Sequence, residues 1–241
     1  MKTILLKFAG PMQSWGTDSH FETRHTDLYP SKSGVLGLVA AALGWRRHDE
    51  RIGELNRICF AVRVDQPGTM LMDYHIAHKS DVKKGEVINS RTYVTKRYYL
   101  QDAVFVVALG IYEVETVDEI LAALREPYFQ PYMGRRSLPL SVDFILDVVE
   151  GDPVSALRDF PWQAADWYKQ REQAKEGYKR LSIFAETAIA EGISRRRRDH
   201  VLSLANSGRR YLSRMEYETV CEIELPQSKQ EHDAFAALGG M

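Results

Sequence analysis

Cysteine is scarce in this sequence, with only Cys59 and Cys221 among 241 residues. Both lie in apolar runs typical of strands, and the N-terminus does not resemble a signal peptide. We therefore expect reduced core thiols in a cytoplasmic protein. The sequence also lacks zinc-ligand spacing, a phosphate-binding glycine loop, a coiled-coil heptad and an internal repeat. Nothing predicts nucleotide hydrolysis, and we expect no metal and no cofactor.

Long apolar runs and an excess of one charge are also missing. No run approaches the ~20 apolar residues of a membrane span, so we expect no membrane partner. Lys and Arg number 32 against 33 Asp and Glu, giving a net charge of -1. Composition alone does not suggest nucleic acid, but local patches decide binding. With 44% hydrophobic residues, the chain can form one large or two small domains.

The first 45 residues predict a strand, a loop and a helix. The strand covers 4–8, and apolar residues at helical spacing predict the helix over 33–43. Ser31 or Ser33 can cap its start, and Gly44 suits a left-handed C-cap. The polar loop between them is rich in aromatic, amide and basic groups, which suits binding of a polar and partly planar ligand.

Residues 1–150 are predicted to form an α+β domain with the β-α-β-β-α-β order of a ferredoxin-like (RRM-like) fold. An extended basic hairpin, with its tip near 82–85, is inserted before the third strand. After the opening unit, we expect a strand over 55–64, the hairpin over 69–99, a strand over 100–112 buried on both faces, a helix over 117–125 and a strand over 142–149.

Residues 151–241 are predicted to form a smaller, mixed helical and strand region. A helical character extends over 152–193, as a surface helix pair or as an arm that docks a partner. Alternation predicts a strand over 211–225. Four consecutive arginines occupy 195–198; such runs are usually solvated or bind polyanions, and here we favour contact with RNA or phosphate.

Several motifs together carry a family resemblance. The sequence resembles the fifth Cas family of CRISPR-associated RAMP proteins, in the branch found in type I-E Cascade surveillance complexes. The resemblance is poor over 150–208. The matching segments are GPMQSWG (10–16), YPSKSGVLGLVAAALG (29–44), KRYYLQDAVFVVAL (96–109), PYMGRRSLPL (131–140) and, more weakly, RRYLSRMEYE (209–218).

The resemblance implies a non-catalytic RNA-binding subunit. It would hold the 5′ handle of the CRISPR RNA (crRNA), cap the filament of backbone subunits and contact the large subunit. Target DNA would be reached only through the complex, because base pairing by the guide reads the target. The hairpin matches the family's "thumb", which packs against RNA and the neighbouring backbone subunit.

The loop over 10–24 is the first predicted RNA site. Trp15, next to Gly16, can stack on a base, and the Gln13 amide can form hydrogen bonds with base edges. The Arg24 guanidinium can bind a phosphate through two hydrogen bonds. The alternative is that Trp15 seals the core beneath the loop. Nearby, Lys32 and the backbone amides around Ser33 predict an anion site at a helix N-terminus.

The second predicted RNA site is the loop that contains Tyr132, Gly134, Arg135 and Arg136. The glycine permits close backbone approach, and the adjacent arginines suit phosphate. A plain surface turn is the alternative. The predicted RNA-binding set is completed by Arg91, Arg97 and Arg210.

A catalytic alternative rests on Tyr74, His75 and Lys79. A metal-independent endoribonuclease needs a base for the 2′-hydroxyl and a cation for the phosphorane, and the related type I-C branch cuts precursor RNA. The spacing of His75 and His78 is weak support for a metal without further ligands. We favour surface histidines on the hairpin.

Overall fold

The computed structural model describes residues 1–16, 22–83, 86–173, 177–186, 193–205 and 208–225, with backbone alone for 79–83 and 86–90. The fold is α+β and rich in strands. Its strands are β1 (Lys2–Ala9), β2 (Met12–Gln13), β3 (Thr23–Arg24), β4 (Cys59–Gln66), β5 (Thr69–Lys83), β6 (Glu86–Gln101), β7 (Val104–Ile111), β8 (Ile145–Glu150), β9 (Tyr178–Glu186), β10 (Ile193–Ser203) and β11 (Arg210–Glu224). Its helices are α1 (Lys32–Ala42), α2 (Val114–Arg125), α3 (Pro153–Asp159) and α4 (Asp166–Gln173), with a 3-10 helix at Glu50–Arg57.

One antiparallel sheet of seven strands organises the chain, in the order β10-β11-β9-β4-β7-β1-β8. All eight residues of β7 are buried, which confirms the prediction of a central strand covered on both faces. Its predicted start at residue 100 was too early, because β6 runs to Gln101. Asp102, with φ of 56°, makes the turn between the two strands.

Apolar layers cover both faces of this sheet. On one face, α1 and α2 pack on side chains of alternate β1 residues such as Ile4 and Leu6. On the other face, Leu157 of α3 packs with Leu5 of β1. The first half of the chain thus runs strand, helix, strand, strand, helix, strand, with the hairpin between β4 and β7.

The first helix is as predicted. The Gly34 amide donates to Ser31 Oγ at 3.2 Å, so Ser31 is the N-cap. Gly44 has φ of 78°, the left-handed conformation expected after the helix end. Val35 and Val39 are fully buried, because their spacing puts both on the face turned to the sheet.

Two segments differ from the predictions. Residues 178–186, predicted to be helical, form β9, with Ile183 buried in one core and Phe184 in the other. A strand buried on both faces loses its polar alternation, and the Ala- and Lys-rich flanks concealed it. The predicted strand over 55–64 starts only at Cys59, since Ile52 and Leu55 are buried from one face of the 3-10 helix.

The predicted hairpin is confirmed, and it is long. Strands β5 and β6 pair from Thr69 opposite Gln101 to Lys83 opposite Glu86. On the other edge of β6, β2 pairs antiparallel near Gln101, and β3 pairs parallel with Arg24 opposite Arg97. The base of the hairpin is therefore held by the N-terminal loop. No helix in the described part of the chain is long and apolar enough to cross a membrane.

Candidate nucleic-acid interface

The structure contradicts the prediction that Gln13 and Trp15 contact RNA. Trp15 is 2% exposed, and its ring lies 5.0 Å from that of Phe8 between centroids. Gln13 is fully buried; its Nε2 donates to the Ala103 carbonyl at 2.7 Å, and its Oε1 accepts from Trp15 Nε1 at 2.9 Å. A buried amide must satisfy its hydrogen bonds internally, so this pair seals the core. Gly16 is exposed beside it.

The predicted anion site at the start of α1 is already occupied by the protein. The Lys32 amide donates to Asp199 Oδ2 at 2.8 Å, so a carboxylate of β10 takes the place expected for phosphate. Lys32 is 1% exposed, and its Nζ binds Glu186 at 2.8 Å. Burial lowers the pKa of Lys32, and Glu186 opposes that shift. The RNA role predicted for Lys32 is wrong; Ser33 is half-buried with its Oγ 3.4 Å from Ser31 Oγ.

The four-arginine run is divided by strand alternation. Arg197 is 8% exposed and binds Glu216 and Asp27, so it is a structural residue. Arg195 lies on the same face as Arg197 and binds Glu216 at 3.1 Å, whereas Arg196 and Arg198 are exposed on the other face. The expectation of phosphate contact therefore applies to part of the run.

Gly134 shows why the second predicted loop needs glycine. Its φ is 83°, and a Cβ at this position would overlap the backbone carbonyl of Ser14. The Ser14 amide in turn donates to the Met133 carbonyl at 3.2 Å. The close approach is therefore to this chain's own loop. Tyr132, bridged to Pro139, is half-buried at the start of the turn.

Arg135 binds the base of the hairpin. Its Nη2 donates to the Arg24 carbonyl at 3.2 Å and the Tyr98 carbonyl at 3.0 Å. Its guanidinium carbon lies 4.1 Å from the centroid of the Tyr99 ring. These contacts give Arg135 a positioning role that the sequence did not reveal. Arg136 beside it is exposed.

Arg24 and Arg97 form a pair of cations that no carboxylate among the described residues neutralises. They lie directly opposite each other in β3 and β6. Among the described residues, no carboxylate lies within ion-pair distance of either, although Asp73 is opposite Arg97 on β5. Arg97 Nε is also buried without a hydrogen-bond partner in the described chain. Like charges opposite each other are destabilising, so this pair suits an external anion.

The other predicted RNA-binding arginines lie apart from this pair. Arg91 is exposed further along β6, six positions from Arg97, and Arg210 is exposed at the start of β11. The structure therefore brings together Arg24, Arg97, Arg135 and, through its loop, Arg136.

The structure does not bring together Tyr74 and His75, two residues of the catalytic alternative. Tyr74 and His75 are neighbours in β5, so their side chains point to opposite faces of the hairpin. His75 Nδ1 lies 3.3 Å from Thr95 Oγ1, and His78 Nδ1 lies 3.1 Å from Thr92 Oγ1. The Lys79 side chain is outside the described residues. Within the described chain, no group of three His, Cys, Asp or Glu could hold a metal.

One face of the hairpin carries exposed apolar side chains along β5, with Lys96 of β6 opposite Tyr74 on the same face. Alternate residues of β5 on this face are each about half exposed, and Val94 lies opposite Ile76 with 39% of its side chain exposed. The row consists of Met70, Met72, Tyr74 and Ile76. We call it the methionine row. Asp73 and His75 point to the opposite face, together with the exposed Leu71 and Tyr93.

A ring pair that the sequence did not predict lies close to Arg24 and Arg97 in sequence but on the other face of the sheet, opposite Met72 of β5. The His25 and Tyr98 rings are stacked with centroids 5.2 Å apart and planes 12° apart. His25 follows β3, and Tyr98 is one residue after Arg97. The pair depends on the parallel register of β3 and β6, which local sequence patterns do not reveal.

The α+β fold, with a basic hairpin held at its base by the N-terminal loop, is consistent with a CRISPR-associated protein. Residues 3–219 match the family described as CRISPR-associated protein (Cas_Cas5), and the chain belongs to that family. It is similar to the CRISPR system Cascade subunit CasD of Escherichia coli (strain K12), with 34% identity over 180 residues, covering 69% of this chain and 80% of that protein.

Two solved structures are similar over nearly their whole lengths. One is a chain described as a CRISPR RNA-guided surveillance complex, with 32% identity, a TM-score of 0.76 and coverage of 98% of this chain and 97% of that chain. The other is described as a Cas protein, with 31% identity, a TM-score of 0.66 and coverage of 93% and 95%.

Proposed function

We propose that this protein is an RNA-binding, non-catalytic subunit of a type I-E Cascade complex. It holds the 5′ handle of crRNA and caps the filament of backbone subunits. Its partners are crRNA, a backbone subunit and the large subunit, and target DNA is bound only through the complex. Family membership and the similarity to a chain of a surveillance complex support this proposal.

The observation that carries the RNA-binding part is the pair of Arg24 and Arg97, which has no ion-pair partner among the described residues. Both lie where the hairpin meets the N-terminal loop, and Arg136 is exposed on the adjoining loop. Guanidinium groups bind phosphate through paired hydrogen bonds. A phosphate here relieves the repulsion between the two cations and supplies an acceptor near the orphaned Arg97 Nε.

The methionine row supports the role in filament capping. Its exposed apolar side chains suit burial against a protein, because burying apolar surface is the main favourable term in association. We assign the β5 side of this face, which carries the row, to the neighbouring backbone subunit. The opposite face, with Arg97 and Arg91, and the β3 edge of the sheet, where Lys96 and Tyr98 lie beside β3, are left for RNA.

The finer description of the fold belongs with this proposal. The order β4-β7-β1-β8, all antiparallel, supports a ferredoxin-like domain over 1–150 with the hairpin inserted as a thumb. We propose 151–241 as the second region. Its strands β9, β10 and β11 extend the same sheet, so the two regions share a core. Assembly on crRNA implies a cytoplasmic location.

The test replaces Arg24 and Arg97 with glutamine and measures crRNA affinity of the reconstituted complex at several salt concentrations. A plot of log affinity against log salt has a negative slope, and its magnitude should decrease by roughly 0.7 for each phosphate that the variant no longer binds. The control is the double variant Arg46→Gln and Arg125→Gln, which removes two exposed arginines outside the hairpin. Equal slopes for both double variants would remove the arginine pair from the interface.

A separate experiment on the isolated protein tests the endoribonuclease alternative. The isolated protein is incubated with labelled repeat RNA in EDTA, and both gel shift and cleavage are resolved. A shift without cleavage is expected. Cleavage at one position that disappears in His75→Ala would make this chain a processing enzyme and overturn the proposal.

A further inference from the structure

The stacked rings of His25 and Tyr98 leave one aromatic face open. Tyr98 is half-buried in β6 and covers one side of the imidazole. His25 is exposed, so the other side of its ring faces solvent. The 12° angle between the planes means that a third flat ring can continue the stack.

The backbone on both sides of this stack is fixed. One guanidinium, that of Arg135, binds the carbonyl of Arg24, which precedes His25, and the carbonyl of Tyr98 itself. The Lys96 amide donates to the Glu22 carbonyl at 2.8 Å, which ties the two strands together at the other end. The stack is therefore held before any ligand arrives, which lowers the entropic cost of binding.

A cation lies on the same face. Lys96 is two residues before Tyr98 in β6, and side chains two apart in a strand share a face. It is exposed, and no carboxylate among the described residues lies within ion-pair distance. An open aromatic face beside an exposed cation is the combination that binds one nucleotide of a single strand.

We propose that His25 is a stacking platform for one nucleobase of bound RNA, with Lys96 beside it for a phosphate. The inference rests on the proposed function and adds a site to it. Stacking of this kind tolerates any base, because every base has a π face. Arg135 acts as a positioning residue, since it holds the backbone beneath both rings.

The test places 2-aminopurine at one handle position of crRNA at a time and records its fluorescence in the reconstituted complex. Stacking quenches this base. One position should be quenched in the parent complex, brighten severalfold in His25→Ala and be quenched again in His25→Phe, which restores a flat ring. Affinity for crRNA should fall about tenfold in His25→Ala, within the range for loss of a base–aromatic stack.

The matched control is His48→Ala, which removes an exposed histidine outside the hairpin. If the parent complex retains crRNA and no position brightens selectively in His25→Ala, the platform is refuted and the proposed function stands. If complexes formed with and without this chain hold the handle equally well, the proposed function fails first, and the platform fails with it.

Discussion

At the scale of single residues, position 134 requires glycine because of the backbone conformation and the close approach of Ser14, without any contact to RNA. Its φ of 83° belongs to the left-handed region, and Ser14 lies where a side chain would begin. The loop over 131–140 therefore packs directly on the N-terminal loop. That contact places Arg135 next to the carbonyls it binds.

Gly134→Ala should destabilise the protein by about 2–4 kcal/mol, combining left-handed strain with displacement of a packed loop. The measurement is the free energy of unfolding from urea denaturation. Gly53→Ala is the control, because nothing lies within 4 Å of its added Cβ. Equal stability of the two variants would show that the loop moves away from Ser14 at little cost.

Trp15 and Gln13 show what the sequence reveals at this scale and what it does not. The motif predicts that strand, loop and helix form one unit, and they do. It does not predict side-chain direction, because one hydrogen-bond partner of Gln13 is the Ala103 carbonyl, ninety residues away. The alternative in which Trp15 seals the core is the one that the structure supports.

At the scale of elements, local periodicity explains which predictions succeed. Both α1 and β7 are long, apolar and regular, so their patterns suffice. Local periodicity did not predict strand β9, because this strand is buried on both faces and flanked by helix-forming residues. The pairing of β3 with β6 has no local signal at all, and it is this pairing that aligns Arg24 with Arg97.

The methionine row gives a prediction at the element scale. Ile76→Lys should change the free energy of unfolding by less than about 0.5 kcal/mol, because half of this side chain is already exposed. It should weaken binding of the neighbouring backbone subunit, since a lysine would be desolvated at the contact.

His75→Lys is the control for Ile76→Lys, because it adds the same group one residue away on the opposite face. Binding is measured as the midpoint of complex assembly with backbone subunits. If both lysine variants assemble like the parent protein, the methionine row is not the contact surface.

At the scale of the whole molecule, a buried ionic cluster joins β10 and β11 to the residues around the start of α1. Arg214 of β11 binds Asp199 at 2.7 Å and Glu216 at 3.0 Å, with both carboxylates fully buried. Asp199 also accepts from the amide of Lys32 at the start of α1. Tyr29 donates to Glu216 at 2.6 Å, and burial raises the pKa of Tyr29, so it remains a donor at neutral pH.

This cluster links the C-terminal strands, which β9 joins to the sheet through β4, to the start of α1. Removing one partner of a buried ion pair leaves the other charge uncompensated. Arg214→Met preserves much of the side-chain volume but leaves Asp199 and Glu216 with fewer cations. We therefore expect a decrease of about 3–5 kcal/mol in the free energy of unfolding.

Arg180→Met is the matched control, because Arg180 and Glu222 form an exposed pair with side chains 77% and 52% accessible. Exposed pairs contribute about 0–1 kcal/mol, so this variant should unfold almost like the parent protein. Urea denaturation followed by circular dichroism measures both. A single cooperative transition shifted by Arg214→Met alone supports a shared core, because β11 then stabilises α1 through Asp199. A variant in which only part of the helical signal disappears early would instead show that the N-terminal half folds without the C-terminal strands.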